Sequence, residues 1–315
     1  MSTLARRRWY TMPVLPLIAA ALLAGCAQQG ALPTGLPTAG TSPTGAAAMP
    51  SPSASASPSA SASPASSPTA GATAPTAAAG AGPYNFPLLP PGAALPSEAF
   101  CAAHVQRSSF EPRPENQAAN SRVPTSAQIV ALSPWDGAIG LDPRADQLRQ
   151  QMTGRFTGTT DEILQWVACK WGVPVNVVRA EAVIESYWRQ SQRGDTSVNQ
   201  SDCPPGTWNG SSCYQSYGIL QIKYTYFVSA WPMSRDDTAF SAEYVYGMIR
   251  TCYEGWTTYL QDRTPLPGHA PYGAGDLWGC LGRWFSGSWY DQGAIDYIAK
   301  VKAAYNQKVW TSPGF

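Results

Sequence analysis

Glu181 and Glu185 stand one helical turn apart in the run Val177-Val178-Arg179-Ala180-Glu181-Ala182-Val183-Ile184-Glu185. On a helix, Val178, Glu181, Ala182 and Glu185 share a face, so both carboxyls sit beside apolar groups. A carboxylic acid in such a setting is poorly solvated as an anion. Its pKa rises toward neutrality, where it can protonate a leaving oxygen and later take a proton back. Glu185 is the expected acid/base. Glu181 reads as structural, held by Arg179 or by a core hydrogen bond, while adding like-charge pressure on its neighbour. The competing reading of Glu185 is an ion pair with Arg189 at i+4. If water is the attacking group, a second carboxylate is needed, and Asp195 and Asp202 in the following segment are the candidates.

Other chemistries find less support. The two histidines, His104 and His269, are far apart in sequence, and no two cysteines have the short spacing of structural zinc sites. We therefore expect no metal, and no motif implies a nucleotide or redox cofactor. Lys and Arg number 21 against 20 Asp and Glu. Without the three arginines of the N-terminal segment the chain is close to neutral, which argues against nucleic acid as a partner.

The acids must be positioned by helices. Pro174 opens the one carrying both glutamates, expected over 175–188. Before it, a helix starts near Thr160, with Asp161 and Glu162 at its positive end, an apolar stripe of Ile163, Leu164, Val167, Ala168 and Trp171, and Gly172 as its stop. Asp142-Pro143 leads into a helix over 144–152. Ser234-Arg235-Asp236-Asp237 reads as a capping-box variant opening a helix that runs through Tyr244 to about Cys252, and a last helix covers about 294–309. The fold expected is mainly α, of an α+β lysozyme-like kind, with a substrate cleft and a small loop or short-strand region.

Three separated segments resemble the lytic transglycosylases of the goose-type lysozyme superfamily: Ala182-Val183-Ile184-Glu185-Ser186, Tyr217-Gly218-Ile219-Leu220-Gln221-Ile222, and Trp284-Phe285-Ser286-Gly287 together with Tyr297-Ile298-Ala299-Lys300-Val301. They resemble the family's Glu-Ser helix end, its Gly-Leu-Met-Gln segment, and its Ala-Tyr-Asn-Ala-Gly segment with the closing helix. The resemblance implies cleavage of the β-1,4 bond between N-acetylmuramic acid and N-acetylglucosamine in peptidoglycan, leaving 1,6-anhydro ends. Glu185 would be the catalytic acid/base, and Ser186, Gly218, Gln221, Trp284 and Tyr297 would contact substrate. Trp188, Tyr217 and Trp289 are weaker candidates for stacking on sugar. Phe285 departs from the family's asparagine, and the segment carrying Cys203 and Cys213 is an insertion. Rival functions are a hydrolytic muramidase, a wall-binding lipoprotein without turnover, and an exported enzyme acting on chitin-like polymers.

The chain's start places this chemistry outside the cytoplasm. Arg6, Arg7 and Arg8 precede an apolar stretch over 14–23 that is too short to span a bilayer. It ends in Leu23-Ala24-Gly25-Cys26, which resembles a bacterial lipobox with Cys26 as the lipidated residue; an ordinary signal peptide or a short anchor that happens to contain a cysteine is the alternative. Residues 27–96 are rich in Ala, Ser, Pro, Thr and Gly, and between Trp9 and Ser97 there is no charged side chain. Such a composition cannot bury enough apolar surface to fold. The expected organisation is a signal peptide over 1–26, a disordered tether over 27–96, and a folded domain over 97–315 with its motif-bearing core at about 159–310. Export, with lipid anchoring to the outer face of the cytoplasmic membrane or to the outer membrane, suits the six remaining cysteines. Cys203 and Cys213 flank a turn-rich loop and should pair. Cys252 with Cys280 and Cys101 with Cys169 follow by elimination, though the connectivity beyond the first pair stays open.

Overall fold

A computed structural model describes residues 86–135 and 140–315. The expected signal peptide, Cys26 and the tether up to residue 85 lie outside the described residues. The fold is mainly α: α1 (Glu98–His104), α2 (Gln117–Asn120), α3 (Ser126–Val130), α4 (Ala145–Arg149), α5 (Thr160–Lys170), α6 (Val175–Ser186), α7 (Met233–Asp236), α8 (Thr238–Tyr253), α9 (Leu277–Ser286) and α10 (Gln292–Gln307). One small antiparallel sheet, in the order β1 (Arg193–Ser197), β2 (Cys213–Tyr217), β3 (Ile222–Lys223), follows α6.

α8 is the hub. Every one of its residues is buried, as expected of a helix enclosed on all sides, and α4, α5, α7 and α9 pack around it. Its buried carboxylate, Glu243, is compensated by an ion pair with Lys170 of α5 and by the backbone N–H groups of Thr153 and Gly154. α6 lies against α5 on one side and α10 on the other.

Three disulfides fix the periphery to this frame. Cys101–Cys169 joins α1 to α5, Cys252–Cys280 joins the end of α8 to α9, and Cys203–Cys213 closes the loop that enters β2. These are the pairings expected from the sequence.

Several boundaries differ from expectation. Residues 86–96, placed in the tether by composition, dock on the domain: Phe86 is buried, Leu89 N–H donates to the Gly172 carbonyl at 2.9 Å, and Arg250 donates to the carbonyls of Leu89 and Pro90. A buried guanidinium in the hub helix supplies partners that composition alone cannot reveal. The helix at 144–152 shortens to α4. α8 is capped by Asp237, whose carboxylate accepts from Phe240 N–H at 2.7 Å, and not by Ser234, which belongs to the separate short α7. α5 has the full reciprocal capping box of Thr159 and Glu162.

Candidate active site

α6 stops directly after the residue of interest. Tyr187 takes a left-handed conformation at φ 54°, and Trp188 follows at φ 63°, so the helix ends at Ser186 instead of the expected Trp188. Two successive non-glycine residues in this region are costly. Burial of the Trp188 indole, which donates to the Arg179 carbonyl at 2.9 Å, offsets that cost. Glu185 therefore sits in the last turn of α6, among carbonyls that disfavour negative charge. It is half-buried, densely surrounded yet with an edge open to solvent, whereas Glu181 one turn earlier is fully enclosed.

The element facing both acids is α10. It comes close to α9 because Gly282 has no side chain: a Cβ there would lie 2.8 Å from Ile298 Cδ1 and 2.9 Å from Ala294 Cβ. From α10 the buried Tyr297 hydroxyl reaches Glu185 Oε1 at 2.5 Å and Glu181 Oε1 at 3.3 Å. Phe285 of α9 stacks on the Tyr297 ring at 4.7 Å, nearly parallel. Tyr297 thus meets the acid itself, while the departure at Phe285 roofs the tyrosine.

Removal from water raises the Glu185 carboxyl to about 7; the Tyr297 donor opposes this rise and the Asp195 charge adds to it. Burial pushes Glu181 up to about 8, with Tyr246 and Tyr297 opposing and the Glu185 charge adding. Neither arginine considered for these acids pairs with them. Arg179 binds Asp161 at 2.7 Å, and Arg189 lies 3.4 Å from Glu115.

Across from α6, Asp195 occupies an irregular position in β1, at φ 46°. Its carboxylate accepts from the Ser216 hydroxyl at 2.8 Å and pairs with Lys223 of β3 at 3.4 Å. Asp195 therefore combines a well-supported carboxylate with an electrostatic influence on Glu185. Asp202 accepts from Ser197 Oγ at 2.9 Å, beside the Cys203–Cys213 loop, and is not among the charges acting on Glu185.

Most of the residues expected to contact substrate make hydrogen bonds within the protein. The Ser186 hydroxyl donates to the Ile219 carbonyl at 2.8 Å, Trp284 Nε1 to the Leu220 carbonyl at 3.3 Å, and Gln221 Nε2 to the Gly218 carbonyl at 2.8 Å. Three residues from three motifs converge on one backbone segment, 218–220, and hold it beside the end of α6. Gly218, at φ +87°, is required by the protein's own packing: a Cβ would fall 2.3 Å from the Ser234 carbonyl oxygen. Trp188, Tyr217 and Trp289 are buried and donate to backbone carbonyls, which removes them as stacking faces.

Sequence reasoning missed Ser216 and Lys223 as the supports of Asp195, and Tyr246 of α8 as a neighbour of Glu181. Alternation along β2 and β3 would have been the signal for the first pair; no local signal marks Tyr246. Two cavities, of about 360 and 210 Å³, lie elsewhere, one lined by Gly92, Leu148 and Trp256, the other by Trp135, Phe227 and Tyr244. Glu185 lines neither. The second is linked to the site by Phe227, which stacks on Trp284 at 5.6 Å. Among the described residues no group of three or more His, Cys, Asp or Glu side chains is placed to hold a metal ion, and no helix is long and apolar enough to cross a membrane.

Comparison of the chain with protein-family models, with curated proteins and with solved structures gives no match.

Proposed function

We propose that this domain cleaves the β-1,4 glycosidic bond between N-acetylmuramic acid and N-acetylglucosamine in peptidoglycan, as a lytic transglycosylase with Glu185 as its single acid/base. The observation that carries this reading is a carboxyl raised to about 7 that keeps an edge open to solvent and receives a buried phenol donor. Such a group is divided between acid and anion at neutral pH, as one residue acting first as acid and then as base requires. Glu185 protonates the leaving oxygen. Its anion, held by the Tyr297 hydroxyl, then takes the proton of the muramic acid 6-hydroxyl as that oxygen attacks the anomeric carbon. Glu181 is enclosed and does not reach a polymer. The three motifs that resemble the lytic transglycosylases support the same substrate, and the start of the sequence supports export and lipid anchoring through Cys26.

Hydrolysis is the second reading, favoured by Asp195. Its supported carboxylate acts on Glu185 from the sheet side, which suits a base that activates water in a two-carboxylate mechanism. The full chain and its Glu185→Gln variant, incubated with purified sacculi, separate the readings by mass spectrometry of the released ends. Anhydro-muramic ends that require Glu185 are expected; reducing ends would transfer the assignment to hydrolysis with Asp195. Undiminished release by Glu185→Gln would refute both, and sacculus binding with no release at all would make the protein a wall-binding module.

A further inference from the structure

We propose that Glu181 is a positioning residue for Glu185: a neutral carboxylic acid whose O–H donates to the Tyr297 oxygen, so that the Tyr297 O–H is turned toward Glu185. This rests on the reading of Glu185 as the acid/base.

The argument is a count of hydrogens. One phenol oxygen lies within hydrogen-bond distance of two carboxyl oxygens, Glu185 Oε1 and Glu181 Oε1. A tyrosine has a single hydrogen to donate. Both contacts are satisfied only if one carboxyl brings its own hydrogen, and burial decides which. Glu181 is fully enclosed and its Oε2 has no partner. The groups acting on it are Tyr246 of α8, which approaches without completing a hydrogen bond, Glu185 of its own helix and Tyr297 of α10. No cation is among them. Glu243 in the same core shows how much more support a buried carboxyl can be given: an ammonium and two backbone donors. An unpaired, half-satisfied anion at position 181 would be far costlier than a neutral acid, and its raised pKa agrees with that protonation state.

The order Glu181–H to Tyr297 oxygen, Tyr297–H to Glu185 has a directional consequence. It is complete when Glu185 is an anion, the form that develops as the leaving oxygen is protonated. Interactions stronger in that state than in the ground state lower the barrier. When Glu181 ionises, the Tyr297 hydrogen is drawn back toward it and Glu185 loses its donor. The charged groups acting on Glu185 from the other side reduce to Asp195 of β1, itself neutralised by Lys223.

The test is a titration of the full chain labelled with ¹³C at glutamate carboxyls, with signals identified by Glu181→Gln and Glu185→Gln. A carboxyl assigned to Glu181 should stay protonated through pH 7; ionisation of that carboxyl already at pH 6 would overturn the proposal. Turnover supplies the second readout. Glu181→Leu, which cannot donate, should lower kcat roughly tenfold, about the effect of one lost hydrogen bond, and move the Glu185 midpoint upward. Glu181→Gln, whose amide can donate to the Tyr297 oxygen, should recover most of that loss. Equal loss in both variants with an unmoved Glu185 midpoint would reduce Glu181 to packing. Where Glu181→Leu does not fold, the titration of the wild-type chain and of Glu181→Gln decides alone. Absence of sacculus cleavage with Glu181 protonated at pH 7 would overturn the assignment of Glu185 as the acid and still support the hydrogen-bond chain.

Discussion

The helical wall and the small sheet each bring a carboxyl to the site, and they treat it in opposite ways. On the wall, Glu185 lies at the carbonyl end of α6 with Tyr297 as its donor and, among the described residues, no cation acting on it. On the sheet, Asp195 has a Ser216 hydroxyl and the Lys223 ammonium. The same functional group is thereby made a proton-holding acid on one side and the partner of a hydroxyl and an ammonium on the other. Sequence pattern alone does not distinguish them, because each environment is assembled from other elements: α10 for the first, β2 and β3 for the second.

The largest test of this contrast is Glu185→Gln, which should lower sacculus cleavage by roughly 10²- to 10⁴-fold, the range for loss of a general acid/base, with an unchanged circular dichroism spectrum. Tyr297→Phe should come next. It removes the one donor to Glu185 found among the described residues and should cost about 1–3 kcal/mol of stability, since buried carboxyl oxygens lose their partner. It should also move the alkaline limb of the pH–rate profile upward from about 7, because the phenol lowers the Glu185 pKa; an unmoved limb would mean that the hydrogen bond plays no part in setting the acid.

The wall should also leave a signature in stability. Glu181 has a folded pKa raised from 4.5 to about 8. Between those values the folded state retains a proton that the unfolded state releases, so its contribution is full below about 4.5 and is lost as pH rises toward 8, with a limiting slope of about 1.4 kcal/mol per pH unit. Urea midpoints measured from pH 5 to 8 should fall in the wild type and fall less in Glu181→Gln; parallel curves would contradict a protonated Glu181. Ser186→Ala, which unties α6 from the Ile219 carbonyl, should cost about 1 kcal/mol, read from the same denaturation curves.

The smallest effect belongs to the sheet. Asp195→Asn removes a charge that raises Glu185, so the alkaline limb should shift to lower pH by less than about one unit, the scale of an interaction through a partly solvated gap. Retained anhydro ends in that variant would keep the sheet in a supporting role. Loss of turnover would make Asp195 a partner in the chemistry.

Much of the frame was legible because its signals are local. The acidic first turn of α5 at Asp161 and Glu162, the proline before α6, the turn-rich loop between Cys203 and Cys213, and the one-turn spacing of Glu181 and Glu185 need no tertiary information. α9 escaped notice as a helix: Gly279 and Gly282 weaken its intrinsic propensity, and they are present because the Trp289 ring and α10 press against them. The cap of α8 was placed three residues early because Ser234 and Asp237 are both good caps; the break between α7 and α8 selects the aspartate.

At the site, the amino-acid sequence by itself determined which groups can carry a proton, their spacing on α6, and which cysteines close the frame. Tertiary structure decided what each group became. Ser186, Gln221 and Trp284 were assigned to the backbone of 218–220, Tyr297 was placed between two acids, and of those two only Glu185 kept an edge open to solvent. The reason is physical: a carboxyl's protonation and a hydroxyl's partner are fixed by desolvation and by donors that arrive from distant elements, and no local pattern encodes either.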